Sequence, residues 1–202
     1  MFDYPLIFLT SYLLGSIPTG FIVTRLVAGI DIRQVGSGNI GATNVHRVLG
    51  WTWYLVVLLV DMTKGMAAVW LAHQVGEGDI IIKMLAGATA VAGHNWTIFL
   101  KFKGGRGVAT SAGVFIGLAP YPMLLIIPLF IIIVALTKYV SLGSVMGALV
   151  LPLLLWLFKA EPPLLIFGGA VSVIIVVKHI PNIKRLLAGQ ENKFGSRVEL
   201  KQ

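Results

Sequence analysis

The sequence predicts an all-α polytopic membrane protein with seven transmembrane helices, the N-terminus outside and the C-terminus in the cytoplasm. Three observations predict it. The first is composition: the 202 residues are 57% hydrophobic and only 12% charged, with a mean hydropathy of +0.90. A soluble domain carries about a quarter charged residues, so the bilayer is the expected solvent. The second is that the apolar residues gather near 4–28, 52–74, 80–99, 107–120, 121–137, 142–158 and 162–180. Each stretch approaches the ~20 residues that a helix needs to cross ~30 Å of hydrocarbon. The third is that basic connections alternate with neutral or acidic ones, which orients the chain by the positive-inside rule.

Taken in order, the first segment lacks a basic leader and a small-residue cleavage site. Pro5 to Gly29 therefore reads as a retained span and not as a signal peptide. Its Gly15-Ser16-Ile17-Pro18-Thr19-Gly20 patch marks a bend or a close helix approach. The following connection holds Arg33 and Arg47, with Arg25 at its edge; the next holds Glu77 and Asp79 and no cation. Lys101, Lys103 and Arg106 follow the third segment, and Lys138 follows the fifth. The fourth is short and glycine-rich, and Pro120-Tyr121-Pro122 either ends it or kinks one longer helix. Lys159 is balanced by Glu161, and the C-terminal stretch carries Lys184, Arg185, Lys193, Arg197 and Lys201. With no linker, repeat or soluble unit, residues 1–202 read as one membrane domain, with a disordered tail expected from 194 to 202. The net charge of +8 then points to anionic lipid headgroups and not to nucleic acid. The absence of cysteine excludes thiolate metal sites and a cysteine nucleophile.

The polar chemistry concentrates in two loops on the expected cytoplasmic side. Val35-Gly36-Ser37-Gly38-Asn39-Ile40-Gly41-Ala42-Thr43-Asn44 packs hydroxyl and amide groups between glycines. Backbone N–H groups in such a segment can converge on an anionic oxygen, and Arg47 follows with a forked cation suited to phosphate. Lys101-Phe102-Lys103-Gly104-Gly105-Arg106-Gly107 repeats the recipe with more charge. Neither loop is a Walker-type phosphate loop, and the Gly36-x-Gly38-x-x-Gly41 spacing has no preceding strand to make it a dinucleotide fingerprint.

Asp61 and Lys64 share one face of the second segment, as an ion pair that fixes packing or as a catalytic pair. His73 reads as solvated surface and His94 as a structural hydrogen bonder. His46 lies beside the first loop, either assisting it or sitting on the surface. His179, Asn182 and Arg185 recur at i, i+3, i+6 where the last segment ends, a donor-rich face fit for a ligand. No cluster of acids, histidines or cysteines has metal-ligand spacing, so no metal and no cofactor is expected. No histidine has an aspartate five residues on, either. A small carrier for a phosphorylated metabolite would also use basic glycine-rich loops, but the short outer connections offer it no basic mouth.

Both loops, together with Tyr12 to Pro18, Asp61 with Lys64-Gly65, Gly93-His94, Tyr139-Val140-Ser141-Leu142 and His179 to Glu191, resemble the bacterial acyl-phosphate-dependent glycerol-3-phosphate acyltransferases. Arg106 stands where that family usually has lysine. The resemblance implies a multi-pass protein of the bacterial inner membrane with its active site toward the cytoplasm. It implies transfer of a fatty acyl group from acyl phosphate to the sn-1 hydroxyl of glycerol 3-phosphate, without acyl-CoA or acyl carrier protein as donor. It implies catalytic roles for Ser37, Asn39, Lys103 and His179. Substrate contacts would come from Gly38, Gly41, Thr43, Asn44, Arg47, Gly104, Gly105, Arg106, Ser141 and Asn182. Ser37, Gly38, Asn39 and Gly41 would take the donor phosphate and the oxyanion, and Arg47, Lys103, His179 and Asn182 the acceptor phosphate, with Thr43 and Ser141 in support.

Overall fold

A computed structural model describes residues 3–76 and 78–198. Glu77 and Lys201 of the charge pattern, and residues 199–202 of the expected tail, lie outside the described residues. Within them the chain forms α1 (Asp3–Ser16), α2 (Thr19–Ala28), α3 (Ala42–Leu49), α4 (Trp51–Val75), α5 (Ile80–Asn95), α6 (Val108–Leu118), α7 (Pro120–Thr137), α8 (Val140–Leu157), α9 (Pro162–Lys178) and α10 (Ile180–Leu187), with 3-10 turns at Ile32–Gln34 and Ile98–Leu100. The described chain is all-helical, and each of the seven expected segments contains helix.

Four stretches are long and apolar enough to cross a membrane: Tyr4–Ala28, α4, α7 and α8. The pair α9 and α10, bent by 57° at His179, adds a fifth among the described residues when the two are taken as one broken span. The other two expected spans are shorter than the sequence pattern suggested. α5 has 16 residues and α6 has 11, roughly 24 and 17 Å at 1.5 Å per residue. Both stop early for identifiable reasons. Beyond α5 the chain folds back, and the Gly104 N–H donates to the Asn95 carbonyl. Beyond α6, Pro120 opens α7 at its first position, where its missing N–H is no loss.

The first span is broken at Pro18, and the buried Asp61–Lys64 pair on α4 closes the break. Lys64 Nζ donates to the Ile17 carbonyl at 3.1 Å, at the C-terminal end of α1. Asp61 accepts from Thr19 Oγ1 at 3.0 Å, at the N-terminal end of α2. Each charge thus faces the helix terminus of opposite partial charge, while the pair itself is held at 2.8 Å. That is the packing role weighed from the sequence, with a reason for its polarity.

Two tight crossings build the body. On α1 and α5, a Cβ at Gly15 would strike the Ala90 carbonyl, and one at Gly93 the Tyr12 carbonyl. On α4 and α6, Gly65 faces the Thr110 carbonyl and Gly113 that of Met62 in the same way. Small residues let these backbones touch where lipid supplies no hydrophobic drive between helices. Leu59, Trp70, Leu124, Leu149 and Val173 remain on the outside, an apolar exterior suited to a bilayer. α7, α8 and α9 close a second core around Phe115, Leu151 and Leu155.

The stretch from Phe194 differs from the expected tail. The Phe194 ring stacks on His46 at 4.6 Å between centroids and contacts Trp51 and Tyr54. Its N–H donates to the Lys138 carbonyl at 2.6 Å, and the Val198 N–H to the Arg47 carbonyl at 3.1 Å. Residues 190–198 form a strap over one end of the molecule, because one aromatic residue finds a three-ring socket.

Candidate active site

A cavity of about 640 Å³ lies between α4, α6, α7, α8 and α9. One end is apolar, walled by Phe115, Met123, Ile126, Phe130, Val134 and Leu151. The other end is polar and brings together Ser37, Asn39, Gly41, Thr43, Asn44, Arg47, Arg106, Ser141, His179, Asn182 and Glu191. Those residues come from four connections and the strap, which the charge pattern predicts on one side of the membrane. The geometry therefore collects at one rim what the sequence assigned to one side.

The first loop is built by Asn44. Its amide Nδ2 donates to the carbonyls of Ile32, Val35 and Asn39 at 3.2, 2.9 and 3.0 Å. Its Oδ1 accepts from the Ser37 N–H at 2.9 Å. Gly36 and Gly38 sit in the left-handed region at φ 62° and 69°, where any side chain would be strained. Asn44, expected to touch substrate, does line the cavity; its side chain also shapes the loop from within and has no donor left over. α3 then starts at Ala42, with Gly41 at the N-cap and no side-chain cap. The Asn44 N–H donates to the Gly41 carbonyl at 3.0 Å, and the N–H groups of Ala42 and Thr43 are the ones left without an intrahelical partner beside the cavity.

The second loop divides differently from the sequence expectation. Lys103 is exposed and off the cavity wall, whereas Arg106 lines it. Gly104 and Gly105 donate their N–H groups to the Asn95 and His94 carbonyls and pack against the end of α5. A Cβ on Gly105 would strike the His94 ring. These two glycines and Gly38 are not part of the cavity lining. The expected substrate contacts at Gly38, Gly104 and Gly105, and the catalytic role of Lys103, therefore lack support from the geometry.

Arg47 and Arg106 supply the charge. Burial lowers the Arg106 pKa to about 10, opposed by Glu191 and assisted by the neighbouring Arg185 and Arg47. Burial also lowers that of Arg47, again opposed by Glu191. Both guanidiniums stay protonated near neutrality. Arg47 Nε has no partner, and its Nη2 reaches the Asn192 carbonyl at only 3.5 Å.

Glu191 was not singled out from the sequence, yet it organises the far wall. Oε1 accepts from Ser141 Oγ at 3.0 Å and from Asn182 Nδ2 at 2.7 Å; Oε2 accepts from Arg185 Nε at 2.7 Å. Burial alone would raise the Glu191 pKa, but these three hydrogen bonds and the Arg185 charge outweigh it and hold the carboxyl below its ordinary range. His179 donates Nδ1–H to the Ile175 carbonyl at 2.8 Å, since a carbonyl can only accept. Its Nε2 is left as an acceptor. Asp61 and His94 also reach the cavity wall. The signal available for Glu191 was a lone acid beside Asn182 and Arg185 in a basic stretch.

An all-helical membrane protein whose cavity is apolar at one end and cationic at the other is built to hold an amphiphile with an anionic head. The chain belongs to the glycerol-3-phosphate acyltransferase family, whose model matches residues 5–189. It is 47% identical to a glycerol-3-phosphate acyltransferase of Geobacter sulfurreducens, over 91% of this chain and 94% of that one. It is 42% identical to one of Chlorobaculum parvum, over 98% of this chain and 100% of that one. Among solved structures it is similar to PlsY, an integral membrane glycerol 3-phosphate acyltransferase, in its glycerol 3-phosphate form: TM-score 0.91, 35% identity and 96% of each chain covered. The lysophosphatidic acid form of PlsY gives a TM-score of 0.88 at 34% identity, again over 96% of each chain. Glu191 and Phe194 lie past the stretch that the family model matches.

Proposed function

We propose that this protein transfers a fatty acyl group from acyl phosphate to the sn-1 hydroxyl of glycerol 3-phosphate, giving 1-acyl-sn-glycerol 3-phosphate and inorganic phosphate. The observation that carries the proposal is the shape of the cavity: a long apolar end for an acyl chain joins a rim with a buried guanidinium at Arg47, a half-buried one at Arg106 and a donor-rich loop. Both substrates bear phosphate, so two cations and a set of backbone donors match the demand. The hydroxyl oxygen attacks the acyl carbonyl, the bond from carbonyl carbon to phosphate oxygen breaks, and the hydroxyl proton leaves with the departing phosphate. Because that phosphate is already a good leaving group, positioning and oxyanion stabilisation supply most of the catalysis.

Ser37, Asn39 and the first-turn N–H groups after Gly41 hold the donor phosphate and the developing oxyanion, with Thr43 in support. Arg47 and Arg106 hold the acceptor phosphate, and Arg106 takes the place first given to Lys103. His179 presents Nε2 toward the reacting groups. The chain crosses the inner membrane of a bacterium seven times, with α5 and α6 as short inner passes, the N-terminus outside and this rim toward the cytoplasm. The distribution of lysine and arginine supports that orientation. The decisive assay offers the purified protein palmitoyl phosphate, palmitoyl-CoA and palmitoyl acyl carrier protein in turn, without added metal. Lysophosphatidic acid formed from palmitoyl phosphate alone is the expected result; product from either thioester refutes the assigned donor.

A further inference from the structure

The walls of the cavity are buried or half-buried except at five of the described residues. Trp51 at the start of α4, Ile131 and Ala135 near the end of α7, Lys138 at the α7 C-cap and Asn192 on the strap both line the cavity and stand exposed. Residues that do both mark its mouth. Ile131, Ala135 and Lys138 recur at i, i+4, i+7 and so form one edge of α7. α6 packs against α4 and α7 alike, and the mouth opens between those two helices. The strap makes its third side: the Phe194 N–H donates to the Lys138 carbonyl at 2.6 Å, while the Phe194 ring meets Trp51 at 5.2 Å between centroids.

This mouth looks into the bilayer. Ile132 and Leu136, exposed on the same turns of α7, belong to the apolar exterior, and three of the five mouth residues are apolar. Such a lip disfavours a small hydrated anion and admits the tail of a membrane amphiphile. Lys138 carries the only charge among the five. Its backbone is fixed, since its N–H donates to the Val134 carbonyl at 2.8 Å and its carbonyl takes the Phe194 N–H. It sits in the left-handed region at φ 64°, where glycine or asparagine would rest more easily. The turn itself therefore gives no reason for a lysine.

We infer that the acyl phosphate enters sideways through this mouth, and that Lys138 captures its phosphate head there before Arg47 and Arg106 receive it inside. The inference rests on the functional reading above and deepens it, by giving one substrate a route and a residue of its own. A lysine stem can lie along the apolar lip while its ammonium stays at the level of the headgroups. Its compact, hydrated charge attracts a phosphate without the two-point grip of a guanidinium. It is thus suited to catching the head and passing it on, and the arginines to holding it.

The test is steady-state kinetics of the purified protein in phosphatidylcholine vesicles, varying palmitoyl phosphate and glycerol 3-phosphate separately. Lys138→Asn keeps a residue at home in the left-handed region. It should lower kcat/KM for palmitoyl phosphate ~5- to 10-fold, leaving kcat and the KM for glycerol 3-phosphate within ~2-fold. The deficit should narrow as KCl rises, and Lys138→Arg should remove it. Ala135→Glu sets an anion on the same lip with Lys138 intact; it should depress the same parameter, and it carries the test if Lys138→Asn fails to insert. A lower kcat with both KM values unchanged, equal losses on the two substrates, or an unaltered kcat/KM for palmitoyl phosphate overturns the inference and leaves the functional reading intact. Wild-type protein that makes no lysophosphatidic acid from palmitoyl phosphate sinks the functional reading, and the inference with it.

Discussion

Asn44 is the residue whose replacement tests the architecture of the first glycine-rich loop most directly. Its buried amide makes four hydrogen bonds, to three carbonyls and one N–H of the stretch from Ile32 to Asn39. A neutral hydrogen bond contributes about 0.5–1.5 kcal/mol net. Gly36 and Gly38 are exposed and Ser37 is half-buried, so water can take over part of what Asn44→Ala removes. The loss of loop order should therefore be about 2–4 kcal/mol, or roughly 30- to 900-fold in the population of the ordered loop. If the ordered loop is the active one, kcat/KM for acyl phosphate falls by that factor.

Asn44→Asp sharpens the test, because it keeps the size and the oxygen that receives the Ser37 N–H. Its second oxygen would face three carbonyl oxygens, so it should be at least as damaging as alanine. The assay is initial-rate acyl transfer, paired with hydrogen exchange on the amides of Ser37 and Gly38. Both variants should lose rate and exchange faster in the loop while α4 and α6 stay protected. An Asn44→Asp protein with wild-type rate and wild-type exchange would refute the account of how this loop is held.

Arg106→Ala should lower turnover at least ~100-fold, as loss of a charge-assisted phosphate contact, whereas Lys103→Ala should stay within ~3-fold because Lys103 is exposed and off the cavity wall. The reverse ranking in purified proteins would return the catalytic cation to Lys103. Gly147 lines the apolar end, and a Cβ there would meet only Ile126 Cγ2, at 3.4 Å, so a larger side chain can be seated. Gly147→Leu should lower the ratio of palmitoyl to lauroyl transfer by ~10-fold, measured in competition; an unchanged ratio would move the acyl chain out of this cavity. Glu191, held below its ordinary value of 4.5, contributes stability that is present above that pH and lost as pH falls through its lowered pKa. Thermal melts of Glu191→Gln should therefore show a flatter acid limb than wild type; an identical limb would mean the carboxylate is not held as described.

How much of this was legible in the chain follows from which features are local. The helices were readable because each apolar run is continuous in sequence. The lengths of α5 and α6 were not, since the first is cut where Gly104 folds back onto Asn95 and the second where Pro120 starts a new helix. The first loop announced itself by the density of polar side chains between glycines. What Asn44 does there could not be read, because residue type gives the capacity to donate and says nothing of which partner takes it. The same limit separates Lys103 from Arg106. Both are cations in one loop, and which turns inward depends on left-handed backbone at Lys101 and Phe102 and again at Gly107. Glu191 escaped notice because an acid among bases reads as a solvated pair until burial shows otherwise.

The rim of the cavity is put together from segments far apart in sequence, and the charges explain why the strap belongs to it. Arg47, Arg106 and Arg185 influence one another's surroundings closely enough that each lowers or is lowered by another. Left alone, three guanidiniums at one rim would repel. Glu191, carried in by the strap, supplies one anion and anchors Arg185, while Arg47 meets the strap again at Asn192, 145 residues along the chain. One carboxylate against three cations still leaves positive charge for an incoming phosphate to neutralise. A second carboxylate would have cut that surplus to a single charge. The single acid is thus enough to hold the strap and too little to neutralise the rim, and that imbalance is what the proposed function needs: a cationic rim for an anionic head beside an apolar end for its tail.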